Sequence, residues 1–176
     1  MFLFDLIFGN RKKIESQPTA AAADASRPAS APGTQIRHDP ELIARLKDDH
    51  VLLLDIYAAI AAAAQAGDFA QVQQRLDHFR TVLMDHLLKE NVRLYVYLEH
   101  LLARDPASHQ LIREFRHDMD AIGRAVVAFL TKYKAVASQP ELAAGFADEL
   151  AAIGKVLVAR IRREEDTLYA LYAPPG

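Results

Sequence analysis

The sequence predicts an all-α fold, an antiparallel up-down-up-down four-helix bundle with a flexible N-terminal tail, on three observations. Alanine and leucine dominate a chain of 176 residues that holds only 7 Gly and 8 Pro. Past residue 38, apolar residues recur at three- and four-residue spacing over stretches much longer than a strand. Short breaks carrying helix-start and helix-stop residues separate those stretches. Long helices joined by short loops pack antiparallel to their neighbours.

The elements follow in order. Met1 to Phe8 read MFLFDLIF, with Arg11, Lys12 and Lys13 close behind. This segment lacks a leading basic region and a small-residue cleavage site, so it is a poor secretory signal. It reads as a loose tail or as a docking segment for a membrane surface or a protein partner. Residues 14–35 are rich in Ala, Ser and Pro and read as a flexible linker. Residues 1–37 therefore form one unit, and the bundle spans 38–173.

Asp39-Pro40-Glu41 opens helix one with a cap and a proline at the first helical position. That helix runs to about Ala66, where Gly67 suits a left-handed stop. Asp68 caps helix two, and Gln71 stands at the capping-box position. Helix two reaches about Ala103. Asp105-Pro106 starts helix three, which ends near Ala137. Ser138-Gln139-Pro140-Glu141 opens helix four, and Ala173-Pro174-Pro175 closes it.

Composition narrows the function. The net charge is -2, with no basic block past the tail, which argues against a nucleic-acid partner held by phosphate neutralisation. The absence of cysteine excludes disulfides, thiol catalysis and thiolate metal sites. No apolar run approaches the ~18 residues of a membrane span. A cytoplasmic home is expected, with a membrane-peripheral one if the first eight residues dock.

The inward stripes carry the chemistry. Helix two presents Leu76, Phe79, Leu83, His86, Glu90, Leu94, Tyr97 and Leu101 on one face. His86 and Glu90 interrupt a face that should pack inward, and buried polar groups need partners. The other stripes are Ile43, Leu46, His50, Leu53, Tyr57 and Ile60; Leu111, Phe115, Asp118, Ile122, Ala125 and Phe129; and Leu150, Ile153, Leu157, Arg160, Glu164, Leu168 and Leu171. Counted from the loops at 1.5 Å per residue, His50, His86, Glu90, Asp118, Arg160 and Glu164 fall at one depth. Imidazole and carboxylate together suit iron, manganese or zinc. Arg160 cannot ligate. It either adjusts a metal site from behind the ligands or replaces the metal by pairing with the acids. In the second case the layer is a buried ion-pair network that sets the bundle register. Tyr57, Tyr95 and Tyr97 lie near the layer as core rings or as hydrogen-bond partners. His38, His78, His100, His109 and His117 read as solvated. HLLKENVRLY (residues 86–95) also echoes RIRREEDTLY (residues 160–169), which suggests a duplicated helix pair.

Lys47-Asp48-Asp49-His50, His86-x-x-x-Glu90 with Leu94-Tyr95, and Glu164-Glu165 with Leu168-Tyr169 resemble the hemerythrin-like family, the HHE cation-binding domain, over about Asp39 to Tyr172. The resemblance implies a four-helix bundle with ligand positions at His50, His86, Glu90 and Glu164. It also implies non-haem iron and a diatomic ligand, oxygen or nitric oxide, or the sensing of oxygen or iron. The chain departs from the family on helix three, where Phe115 and Asp118 replace a usual histidine, and on helix four, where Arg160 replaces another. The expectation is a binding protein rather than an enzyme, with one or two irons or none, and metal ligands His50, His86, Glu90, Asp118 and Glu164. A second, fainter resemblance joins helices two and four to anti-sigma regulators of the Rsd/AlgQ type. It implies a metal-free interaction protein that docks an RNA polymerase sigma factor.

Overall fold

The computed structural model describes residues 30–31 and 34–174. Segment 1–8 and most of the linker lie outside the described residues. The end of the expected linker is folded. Ser30 bridges Arg37, the Ala31 amide donates to the Ile36 carbonyl, and Ala31 is buried against one end of the bundle.

Four helical rods follow. The first is α1 (Leu42–Gln65). It stops at Gly67, whose φ of 72° is the left-handed conformation that L side chains resist. The second rod is α2 (Phe69–Lys89), a π turn (Glu90–Tyr95) and α3 (Val96–Leu101). Asp68 caps it by accepting from the Gln71 amide. The third is α4 (Pro106–Lys132), capped by Asp105 through the Ala107 amide. The fourth is α5 (Phe146–Arg163), a second π turn (Glu164–Leu168) and a closing 3-10 turn (Tyr169–Leu171). Contacts run in opposite chain directions between neighbours. Asp39, His50 and Tyr57 meet Tyr172, Glu165 and Leu150, and Arg80 and Glu99 meet Leu130 and Arg116. The rods are therefore antiparallel, as the short loops predict.

Three boundaries differ from expectation. Helix one begins at Leu42 with Glu41 at its cap position and no side-chain cap bond, and Asp39 accepts from the Glu41 amide in the turn ahead of it. Helix three ends at Lys132 rather than near Ala137, and Pro140–Ala143 forms a separate 3-10 turn before α5. Gly145, at φ 86°, turns the chain between that piece and α5. A helix cannot run through a left-handed residue.

The core is in two blocks. Leu53, Ile60, Leu76, Phe79, Leu83, Val126, Phe129 and Leu150 belong to one. Leu42, Leu46, Leu94, Tyr97, Leu98, Ile112, Phe115 and Leu168 belong to the other. Between them lie the buried polar residues His50, His86, Glu90, Arg160 and Glu164. The polar layer of the sequence reading is thus a physical seam across the bundle.

Candidate metal centre

Three of the four rods supply polar side chains to this layer. His50 of α1 and His86 of α2 are each 2% exposed, and their ring centroids are 4.7 Å apart. Each imidazole is held from outside by a carboxylate. His50 Nδ1 is 2.8 Å from Glu165 Oε1. His86 Nδ1 is 3.5 Å from Asp49 Oδ2, close enough for attraction but without a hydrogen bond. Lys89 Nζ holds Asp49 in turn, at 3.0 Å. The Nε2 atoms face inward, with His50 Nε2 3.4 Å from Glu164 Oε2 and His86 Nε2 3.8 Å from Glu90 Oε2. A carboxylate on one ring nitrogen fixes the tautomer that leaves the other nitrogen free to ligate.

The two acids differ. Arg160 Nε donates to Glu164 Oε1 at 2.6 Å. Burial resists ionisation of Glu164, but the His50 contact and the Arg160 charge outweigh it and hold its pKa below the usual carboxylate range. Among the described residues Glu90 accepts only the Tyr169 hydroxyl, at 3.0 Å on Oε1. Burial, reinforced by the Glu164 charge, raises Glu90 well above the usual carboxylate range. His50 runs the other way. Burial lowers its pKa, yet Glu164 and Glu165 together raise it above the ordinary imidazole value.

The two π turns begin at these two acids. A π turn bonds i to i+5 and inserts an extra residue in the helix. The extra residue keeps the tyrosine five positions on at the level of the layer. Tyr95 Oη accepts from Arg160 Nη2 at 2.6 Å, and Tyr169 Oη, besides serving Glu90, lies 3.3 Å from His50 Nε2. The echo between residues 86–95 and 160–169 is therefore structural, with His86 answering Arg160, Glu90 answering Glu164 and Tyr95 answering Tyr169.

Asp118 is corrected. It stands 41% exposed in an ion pair with Arg163, outside the layer. The buried face of α4 runs through Ile112, Phe115, Gly123, Val126 and Phe129, which turns Asp118 to the flank. At the level of the layer α4 offers Phe115, whose ring lies 4.7 Å from the Arg160 guanidinium carbon. His117 is 85% exposed, as expected. His38 is not solvated but stacks on Tyr172 at 4.8 Å, and Tyr97 joins that stack at the bundle end rather than the layer. Sequence reasoning missed Asp49, Glu165 and Tyr169. Their signal was adjacency, since each acid neighbours a buried layer residue and Tyr169 matches Tyr95 in the echo.

The residues fit a metal ion. Ligand atoms of His50, His86 and Glu164 lie within 4.8 Å of one another, and Glu90 faces His86 beside them. Arg160 satisfies Glu164, but Glu90 Oε2 and His86 Nδ1 are buried with no hydrogen-bond partner among the described residues. A protein-only ion-pair network would leave Glu90 Oε2 unsatisfied at a cost of about 1–3 kcal/mol, and a cation bound there removes that cost. Arg160 cannot ligate, and its guanidinium lies against the Phe115 ring in the same layer.

A small chamber of about 30 Å³ adjoins the centre. His50, His86, Arg160 and Glu164 form its polar wall, and the rest is apolar, including Leu53, Phe79 and Met119. A family model described as Hemerythrin HHE cation binding domain matches residues 41–172. No curated protein and no solved structure gives a match.

Proposed function

The chain belongs to the hemerythrin HHE cation-binding domain family, and from that premise we propose a binding protein that holds one iron through His50, His86, Glu90 and Glu164. Its role is to sense or buffer oxygen, nitric oxide or iron in the cytoplasm, rather than to turn over a substrate. One observation carries the reading: the inward Nε2 atoms of both imidazoles face buried carboxylates, and the opposite nitrogen of His50 is backed by Glu165, an arrangement that raises ligand basicity.

A bound iron supplies an open coordination position for a diatomic ligand. The chain's residues do the rest. Glu165 and Asp49 orient the imidazoles, and Lys89 steadies Asp49. Arg160 keeps Glu164 ionised and aligned, and Tyr169 orients Glu90. The apolar wall of the chamber limits water beside the centre. Among the described residues no helix is long and apolar enough to cross a membrane.

Elemental analysis of protein made in iron-replete cells, with an absorption spectrum, tests the reading. The expected result is close to one iron per chain. Metal added to stripped protein at a hundredfold excess over Kd should also stabilise it by about 2.7 kcal/mol. Substoichiometric metal under every condition, with no calorimetric stabilisation, would leave the metal-free interaction protein in its place.

A further inference from the structure

Between α4 and α5, away from the polar layer, runs an open groove of about 260 Å³. Phe129 and Ile153 form its floor, and the exposed Ala125, Ala128 and Ala152 form its lips. Alanine ends at Cβ, so the two helices leave unfilled the volume that larger side chains would occupy. The ion pair of Lys132 with Glu149 closes the end where α4 stops and α5 starts. Val156, one turn past Ala152, is 43% exposed and continues the apolar row. No groove residue is a candidate ligand, so what fills the groove is independent of the metal.

One stretch of the chain has the matching chemistry. MFLFDLIF carries the large apolar side chains of Phe2, Leu3, Phe4, Leu6, Ile7 and Phe8, and its one charged side chain is Asp5. An apolar cavity of about 150 Å³ holds one benzene ring, so the groove has room for about two such side chains. Its rim suits the single acid. Arg124, one turn before Ala128, and Lys155, three residues past Ala152, border it with exposed bases, while Lys132 already answers Glu149. We propose that segment 1–8 of the same chain docks its apolar side chains in the groove between α4 and α5.

The tether has a suitable length. Residues 9–29 separate the segment from Ser30. Ser30 is pinned by its bridge to Arg37, and Ala31 is buried in the cluster of Leu42, Leu98 and Ile112, at the opposite end of the bundle from the groove. From Ile112 to Ala128 along α4 is about 24 Å at 1.5 Å per residue. A tether of roughly 22 residue steps reaches at most ~70 Å, and a free coil of that length averages ~25 Å. When average length and span agree, the tethered end is held at an effective concentration of the millimolar order. A second copy of the chain competes only at comparable protein concentration.

Spin-label distances in the full chain test the proposal. The chain has no cysteine, so Asn10→Cys with Ala151→Cys places one label beside the segment and one beside the groove. Pulsed electron resonance should show a narrow distance distribution, in place of the broad one that a free coil of this length gives. Ala128→Glu sets a carboxylate on the apolar lip and should reduce the narrow population at least about tenfold. Phe4→Ser should do the same from the other side of the contact, and it decides alone if Ala128→Glu fails to fold. A broad distribution in the labelled chain, or a narrow one that survives both substitutions, overturns the proposal. So does a narrow population that shrinks on dilution with unlabelled chain, which would make a second copy the occupant. Broad distances in buffer, with recruitment of the full chain to anionic vesicles through Phe4, would give the segment to a membrane surface and overturn it too.

Discussion

Removal of the Glu165 carboxylate separates the metal centre from the fold. Its Oε1 sits 2.8 Å from His50 Nδ1, and that contact fixes the ring so that Nε2 faces the other donors. Loss of such an outer carboxylate weakens metal binding by about 10–100-fold, or about 1.4–2.7 kcal/mol. Glu165→Gln keeps an acceptor oxygen for the ring and loses only the charge, so it belongs near the tenfold end. Glu165→Ala removes the orienting contact altogether and belongs near the hundredfold end. The metal-free fold should hardly notice. Glu165 is 31% exposed, and a contact so screened contributes less than about 1 kcal/mol. Competition against a chromophoric chelator gives the affinities, and urea melts of the stripped variants give the stabilities. An affinity for Glu165→Ala within about twofold of the native chain would refute the claim that the outer carboxylate prepares the ligand. So would a loss of metal matched by an equal loss of metal-free stability, because the contact would then be structural.

Two further perturbations follow from the same geometry. In the metal-free protein Glu90 is raised well above its ordinary value of 4.5, chiefly by burial. The folded state therefore keeps its proton longer than the unfolded state, and stability contributed at low pH is lost as pH climbs from 4.5 toward the raised value. Glu90→Gln, a neutral stand-in, should become progressively more stable than the native chain over that rise, and metal-free melts that stay parallel would contradict the assignment. Asp118→Ala should retain full metal content and change stability by less than about 1 kcal/mol, since the ion pair with Arg163 is exposed. Elemental analysis showing metal lost from this variant would restore Asp118 to the layer and overturn the observed face of α4.

Much of the centre was legible from spacing. His50, His86, Glu90, Arg160 and Glu164 each interrupt an otherwise apolar stripe, and counting residues from the loops set them at one height. That count succeeds because rise per residue is nearly constant and the loops are short. It failed for Asp118 because α4 has two adjacent apolar faces, and a choice between Leu111 and Ile112 as the first inward residue rotates the whole stripe. The structure buries Ile112 and leaves Leu111 at its edge. Asp49 and Glu165 were invisible to the stripes, since both stand one residue off them.

The linear chain by itself determined the helices, the Asp68 and Asp105 caps, the antiparallel order and the depth of the polar layer, because these depend on local backbone preferences and on the fixed rise of a helix. Tertiary packing alone decided the rotation of each rod about its axis. It also decided the π turns that bring Tyr95 and Tyr169 to the layer and the pairing of each histidine with an outer carboxylate. Rotation is set by how whole faces interlock against several neighbours at once, and no single helix carries that information.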